Sequence, residues 1–261
     1  MNTFASSLLH VIAFSFLATC GPVASAQSLP DIIDRIRPGV VAVGVLRSGK
    51  GPGAKRPSVE YKGTGFVVAD GHTVVTNVHV LPENNGDDSE KLAVFVGQGK
   101  AVSARRARVL AVDTEHDLAL LKISGEKVST LALATANTVR EGDPVAITGF
   151  PIGMVLGLYP ATNVGIISAK TPIVIPAPSA SRLTAEMIAR MKNPYEVYQL
   201  DITAFPGNSG SPVYSVDTGQ VIAVVNSVLV KSTKESALTD PSGITYAIPV
   251  SYVEALLAKA P

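Results

Sequence analysis

The stretch Ala204-Phe205-Pro206-Gly207-Asn208-Ser209-Gly210-Ser211-Pro212-Val213 is the most informative part of the chain. It sets a serine between two glycines, just ahead of an apolar run. Glycine permits positive φ angles and the close approach of a substrate. Successive N–H groups in such a turn can point into one space and hold an oxyanion. Ordinary hairpin turns have the same composition, so this stretch alone leaves open both a turn and a serine nucleophile.

Composition indicates a chain with a large hydrophobic core. The 261 residues are 46% hydrophobic and 16% charged, with 22 Gly and 18 Pro. These values fit one large all-β domain or two small barrels. With Lys+Arg 22 and Asp+Glu 21 the net charge is +1, so no strong field would recruit nucleic acid or an acidic membrane surface. Beyond the N-terminus no apolar span is long enough to cross a bilayer, and we expect no integral membrane domain.

The N-terminus has the pattern of a secretory signal peptide. A short apolar run over residues 8–18 is followed by the small-residue cleavage pattern Ala24-Ser25-Ala26. We predict a signal peptide over residues 1–26 and an exported domain over 27–261, in the periplasm or secreted; a buried N-terminal helix is the alternative. Cys20, the only cysteine, ends a stretch similar to a bacterial lipobox. A lipid-anchored form is therefore a second possibility, and no disulfide can form within the chain.

The apolar pattern predicts twelve short strands between two short helices. Helical spacing predicts one helix over residues 29–36 and another over 250–259. Residues 47–62 are rich in Gly, Pro and Lys and are interpreted as a loop. Residues 176–194 fit the strand rhythm poorly and are interpreted as a helical insertion. The predicted strands are 40–46, 64–69, 73–76, 92–96, 102–112 and 118–123, then 144–150, 162–169, 197–202, 212–214, 221–230 and 245–248.

Short strands with Gly/Pro turns favour barrels over an α/β sheet. A polar connector over residues 135–143 separates the two strand sets. We therefore predict an all-β fold with barrel one over about 38–134 and barrel two over about 142–249.

Three side chains together suggest acyl-transfer chemistry. A serine nucleophile needs a base to take its proton and an acid to orient that base. His79 follows the strand 73–76, Asp117 precedes the strand 118–123, and Ser209 lies in the stretch quoted above. Taken singly, His79 could be a core histidine and Asp117 a strand cap. Their order, His, Asp, Ser, is that of the chymotrypsin triad, and a cleft between two barrels would bring them together.

The remaining histidines offer no alternative base. His10 lies in the predicted signal peptide, His72 follows Asp70-Gly71 in a turn, and His116 is expected to be exposed at a strand start. No H-E-x-x-H pattern indicates a metal site, so we expect no metal. Trp is absent and aromatic residues are 5% of the chain, which gives no support for a carbohydrate-binding sandwich.

Several blocks resemble the HtrA branch (DegP/DegQ type) of the trypsin-like serine proteases. The likeness spans residue 29 to the end. The strongest blocks are Gly63-Thr64-Gly65-Phe66-Val67-Val68, Thr76-Asn77-Val78-His79-Val80, His116-Asp117-Leu118-Ala119-Leu120-Leu121-Lys122 and Gly207-Asn208-Ser209-Gly210-Ser211-Pro212. Supporting blocks are Gly149-Phe150-Pro151-Ile152-Gly153, Asn163-Val164-Gly165-Ile166-Ile167-Ser168 and Ile244-Thr245-Tyr246-Ala247-Ile248-Pro249.

The resemblance implies two six-stranded antiparallel barrels packed perpendicularly, with the site between them and no cofactor. It implies that Ser209 attacks, His79 acts as base and Asp117 orients His79. It assigns the oxyanion hole to the loop Gly207, Asn208 and Ser209, and the substrate pocket to Thr203, Ala204, Asn226, Ser227 and Val228. No acidic residue occurs at those pocket positions, so we expect cleavage after small or medium apolar residues and not after Lys or Arg.

 The resemblance implies a serine endopeptidase that hydrolyses the peptide bonds of unfolded or damaged proteins. The alternative is a latent or non-catalytic trypsin-fold protein that binds unfolded chains or a partner. Two features depart from the family pattern: we expect a protease domain without a PDZ domain, and Ser211 stands where the family usually has a second glycine. The protein is expected to be either a trimer or a monomer.

Overall fold

Two closed barrels of six strands each make up the fold in the computed structural model. The model describes residues 27–47, 58–82, 90–135, 139–151, 157–172, 194–226 and 244–261. All strand pairs within the two barrels are antiparallel. The predicted all-β class with two six-stranded barrels is confirmed.

Barrel one closes in the order β1-β2-β3-β6-β5-β4. Its most buried strands are rich in β-branched residues, which pack well on a pleated surface. The turn between β2 and β3 contains Ala69 and Gly71, both with positive φ. The strands are β1 (Val40–Arg47), β2 (Ser58–Val68), β3 (Thr73–Thr76), β4 (Glu90–Val96), β5 (Ser103–Asp113) and β6 (Leu118–Ile123).

Barrel two closes in the order β10-β11-β12-β9-β8-β7. Its strand β11 is buried at every position, which places it at the centre of the packing. The strands are β7 (Pro144–Gly149), β8 (Ala161–Pro172), β9 (Glu196–Leu200), β10 (Pro212–Ser215), β11 (Val221–Asn226) and β12 (Thr245–Pro249).

Two helices flank the barrels. Helix α1 (Leu29–Ile36) buries Ile32 and Ile36, and helix α2 (Val250–Lys259) buries Val250, Val253 and Leu256. Both helices contribute to one apolar cluster that also contains Phe66 of barrel one and Tyr214 of barrel two. This shared cluster holds the barrels together, so that residues from both can meet in one site. Among the described residues, no helix is long and apolar enough to cross a membrane.

The predicted elements agree with the observed ones except at a few boundaries. Strand β6 and both helices have the predicted bounds. The predicted loop over residues 47–62 is wrong at its end, because residues 58–62 belong to β2 and pair with β1. Ladder pairing there outweighs a loop-like composition. The predicted signal peptide and residues 176–193 of the predicted insertion lie outside the described residues.

Candidate active site

His79 lies at the edge of barrel one, where β3 ends. The chain leaves β3 at Thr76 and forms a short 3-10 helix over Val78–Val80. The His79 side chain is 28% exposed, and its Nδ1 lies 2.5 Å from Oδ2 of Asp117. Its backbone N–H donates to Oδ1 of the same carboxylate at 3.0 Å. Because a carboxylate only accepts, this contact places a proton on Nδ1 and leaves Nε2 as the basic nitrogen.

Asp117 occupies the turn between β5 and β6 with a left-handed φ of 54°. Asp adopts this conformation more readily than most residues. Its carbonyl oxygen accepts from the backbone N–H of Val78 at 3.2 Å and from Nδ2 of Asn77 at 2.9 Å. Carbonyl and carboxylate are thus both bonded to the segment that carries His79, and these bonds hold the strained turn against the imidazole.

Asn226 bonds the carboxylate of Asp117. Its Nδ2 donates to Oδ2 of Asp117 at 2.9 Å, and its place in the wall of a substrate pocket stays a prediction. The residue is 2% exposed and ends strand β11 of barrel two. The amide therefore joins barrel two to the carboxylate of barrel one.

Two of the other predicted pocket positions are described. Thr203 and Ala204 are half-buried in the segment that leads from β9 to Ser209, and Ala204 packs against the core of barrel two. Ser227 and Val228 lie outside the described residues.

Ser209 lies in the loop before β10 and is 6% exposed. Its carbonyl oxygen accepts from the backbone N–H of Thr64 at 2.9 Å. The next residue, Gly210, has φ +84° and donates its N–H to Val225 O at 3.0 Å. A Cβ on Gly63 would lie 2.8 Å from Cγ2 of Val80 and 2.9 Å from Ser209 O. The loop of Ser209 therefore passes close to the residue that follows His79.

Within the described residues, the loop Gly207-Asn208-Ser209 has two backbone donors without an acceptor. The N–H of Asn208 donates to Phe205 O at 3.0 Å, while the oxyanion hole predicted for the loop Gly207, Asn208 and Ser209 stays a prediction. Gly207, with φ +101°, and Ser209 have no acceptor for their N–H groups within the described part of the chain. Unpaired, neighbouring N–H groups of this kind can bind a developing oxyanion.

A second His–Asp pair lies beside the first and was missed at the level of sequence. His116 Nδ1 lies 2.7 Å from Oδ2 of Asp113, and the ring stacks on Tyr252 of α2 at a centroid distance of 3.9 Å. The expectation that His116 is exposed is wrong, since its side chain is 14% exposed. Burial raises the pKa of the Tyr252 hydroxyl. The Asp-x-x-His spacing was the available signal, but the packing of α2 could not be inferred from it.

Among the described residues, no group of three or more His, Cys, Asp or Glu side chains could hold a metal ion. The described residues instead offer a carboxylate–imidazole pair, a serine in a loop that passes close to the residue after His79, and backbone donors without an acceptor. These are the parts that nucleophilic acyl transfer needs.

Comparison with known families gives one clear match. A model of the trypsin-like peptidase domain matches residues 63–224. Among curated proteins, the chain is 27% identical over 205 residues to "Probable periplasmic serine endoprotease DegP-like" of Halomonas elongata, which is 76% of this chain and 35% of that relative. It is 31% identical over 229 residues to "Serine protease HTRA2, mitochondrial" of Bos taurus, which is 87% of this chain and 42% of that relative.

Among solved structures, the fold is similar to that of "HtrA-type protease AlgW with decapeptide". The TM-score is 0.63 at 20% sequence identity, with 89% of this chain and 67% of that chain covered. At this identity the likeness concerns the fold alone. The chain spans less than half the length of these two curated relatives.

Proposed function

Because the chain belongs to the family with a trypsin-like peptidase domain, we propose that it is a serine endopeptidase with the triad Ser209, His79 and Asp117. The observation that carries the proposal is the 2.5 Å contact between His79 Nδ1 and Asp117 Oδ2. It leaves Nε2 of His79 free to accept a proton. Similarity to proteins named as serine endoproteases supports the same activity.

The proposed reaction follows from the roles of these groups. Ser209 Oγ attacks the scissile carbonyl carbon while His79 Nε2 takes the hydroxyl proton. The N–H groups of Gly207 and Ser209 stabilise the oxyanion that forms. His79 then gives the proton to the leaving amine, the C–N bond breaks, and an acyl-enzyme remains. Water, activated by the same imidazole, hydrolyses that ester and restores Ser209.

The proposed substrates are unfolded or damaged polypeptides with a small or medium apolar residue before the cut bond. Neither Thr203 nor Ala204 carries a charge, and Asn226 is engaged with Asp117. No carboxylate at these positions would pair with a Lys or Arg side chain. Faster cleavage of a Lys-P1 or Arg-P1 peptide than of its Val-P1 or Ala-P1 counterpart would contradict this specificity.

The proposed location is outside the cytoplasm, with residues 1–26 as signal peptide and residues 27–261 as the exported domain. The pattern Ala24-Ser25-Ala26 and the word "periplasmic" in the name of the Halomonas elongata relative support export. Mass spectrometry of the mature N-terminus distinguishes cleavage after Ala26 from lipidation at Cys20. Sedimentation of the same sample distinguishes a trimer from a monomer.

The activity is tested with reduced, carboxymethylated protein as an unfolded substrate. Wild type should degrade it, and Ser209→Ala should not. Ser211→Ala is a matched control and should retain activity, because Ser211 is also buried but its Oγ has no hydrogen-bond partner among the described residues. Binding of the unfolded chain by wild type without any cleavage would instead support the non-catalytic alternative.

A further inference from the structure

Thr64 is a fully buried polar residue that connects barrel one with the loop of Ser209. It lies in β2, and 0% of its surface is exposed. Its hydroxyl donates to Gly207 O at 2.6 Å and accepts from the backbone N–H of Phe150 at 3.0 Å. Its own backbone N–H donates to Ser209 O at 2.9 Å. One residue thus holds two carbonyl groups of the same loop.

Thr64 is itself fixed in place from barrel one. Its carbonyl oxygen accepts from Thr76 Oγ1 at 2.7 Å, and Thr76 ends the strand that leads to His79. The position of the loop is therefore tied to the element that carries the proposed base. Phe150 follows β7, so the Thr64 hydroxyl also bonds barrel two.

These contacts bear on the two free N–H groups described above. Gly207 has φ +101°, and a glycine in a loop can rotate its peptide planes at little cost. Fixing the carbonyls of Gly207 and Ser209 on one side restricts the backbone between them. The Ser209 N–H lies within this segment, and the Gly207 N–H is joined to the fixed Gly207 carbonyl through a single Cα, so the directions of both N–H groups are restricted.

We propose that Thr64 is a positioning residue. Its hydroxyl keeps the Gly207–Ser209 loop in the conformation that binds the oxyanion. This inference rests on the proposed function for its consequence, because a preorganised donor stabilises charge only in the transition state. Loss of the hydroxyl should therefore lower kcat and leave KM almost unchanged.

The test compares three variants. Thr64→Val removes the hydroxyl at similar volume, and Thr64→Ser keeps it. Thr148→Val is the matched control: Thr148 is also 0% exposed, but its hydroxyl bonds Thr162 and Tyr214, both at 2.8 Å, away from the loop. Each variant is measured for kcat and KM on a peptide amide, and for inhibition by a peptide boronic acid whose tetrahedral adduct occupies the oxyanion position.

Thr64→Val should lower kcat about 10- to 100-fold, less than the roughly 10²–10³-fold loss on removing a donor itself. In the same variant, the boronate inhibition constant should rise as kcat falls. Thr64→Ser should restore both values, and Thr148→Val should change only the melting temperature. An equal fall of kcat in Thr64→Val and Thr148→Val, or a change confined to melting temperature, would refute the positioning role.

A readout independent of turnover separates this proposal from the proposed function. The ¹⁵N-labelled amides of Gly207 and Ser209 should shift in Thr64→Val and stay in place in Thr148→Val. If the amides shift but wild type hydrolyses nothing, the positioning role holds and the peptidase proposal fails. If wild type is active and the amides do not shift, the positioning role fails alone.

Discussion

The carboxylate of Asp117 contacts both the ring and the main chain of His79. Its Oδ2 lies 2.5 Å from the imidazole Nδ1, and its Oδ1 accepts the backbone N–H at 3.0 Å. Two contacts to one residue fix the imidazole in one orientation and one tautomer. From the sequence alone, Asp117 could equally have been a strand cap. The two contacts show that its carboxylate orients His79.

Replacement of Asp117 by Asn should abolish most of the activity. An amide can donate to Nδ1 and stabilise the wrong tautomer, and in the well-studied serine protease triad this change lowers kcat by about 10⁴. Steady-state kinetics on a peptide amide gives the value. Asp113→Asn, in the neighbouring His116 pair, is the control and should keep kcat within about threefold; a similar loss in both variants would argue against a specific role of Asp117.

Asn226→Asp should change the pH dependence of activity. It replaces the N–H donor that bonds Asp117 with a second carboxylate, and a negative charge near the imidazole favours its protonated form. The acidic limb of the kcat/KM profile should therefore move to higher pH. Asn226→Ala removes the donor without adding charge and should lower kcat/KM without that displacement. Identical pH profiles for Asn226→Asp and wild type would contradict the contact.

Gly149→Ala should destabilise the fold and distort the loop of Ser209. A Cβ at this position would overlap Ser211 Oγ and would lie 3.0 Å from Asn208 Oδ1 and 3.1 Å from Thr64 Oγ1. Overpacking of this kind costs about 1–3 kcal/mol. Urea denaturation of Gly149→Ala, Ser211→Gly and the double variant measures the coupling. The double variant should recover part of the loss; strictly additive effects would show that the two residues do not interact.

Acid should weaken a surface ion pair of barrel one. The hydrogen bond from Lys122 holds the pKa of Asp70 well below its usual range. Because the folded-state pKa is lowered, the pair stabilises the protein above the unfolded-state pKa of about 3.9, and this contribution is lost as the pH falls further. Asp70 is 47% exposed, so Asp70→Asn should cost at most about 1 kcal/mol at pH 7.

Denaturation of wild type and Asp70→Asn at several pH values tests this. The difference in unfolding free energy should shrink below about pH 4, where the unfolded carboxylate takes up a proton. A difference that is constant from pH 7 to pH 2 would mean that the ion pair does not contribute.

The sequence predicts those features that depend on local patterns. The apolar pattern predicts helix α1 and strand β6. His79 and Asp117 could be named as candidate site residues because each lies at the end of a predicted strand. The resemblance to HtrA-type members of the trypsin-like proteases, carried by short motifs, is confirmed by the match to the trypsin-like peptidase domain together with the similarity to DegP-like and HTRA2 relatives. The role of Ser209 as nucleophile stays a prediction.

Contacts between the barrels could not be predicted. Asn226 meets Asp117, Thr64 meets Gly207, and His116 stacks on Tyr252 only because the two barrels and α2 pack together. Each pair is far apart along the chain, and no periodicity encodes which surface faces which. The extension of β2 to Ser58 likewise depends on pairing with β1.

The most direct test of the central claim is to map the adduct of a fluorophosphonate probe by mass spectrometry. The account predicts that wild type is modified at Ser209, that His79→Ala reacts far more slowly, and that Ser209→Ala is not modified. Modification of another serine, or no modification even in the presence of unfolded substrate, would contradict it.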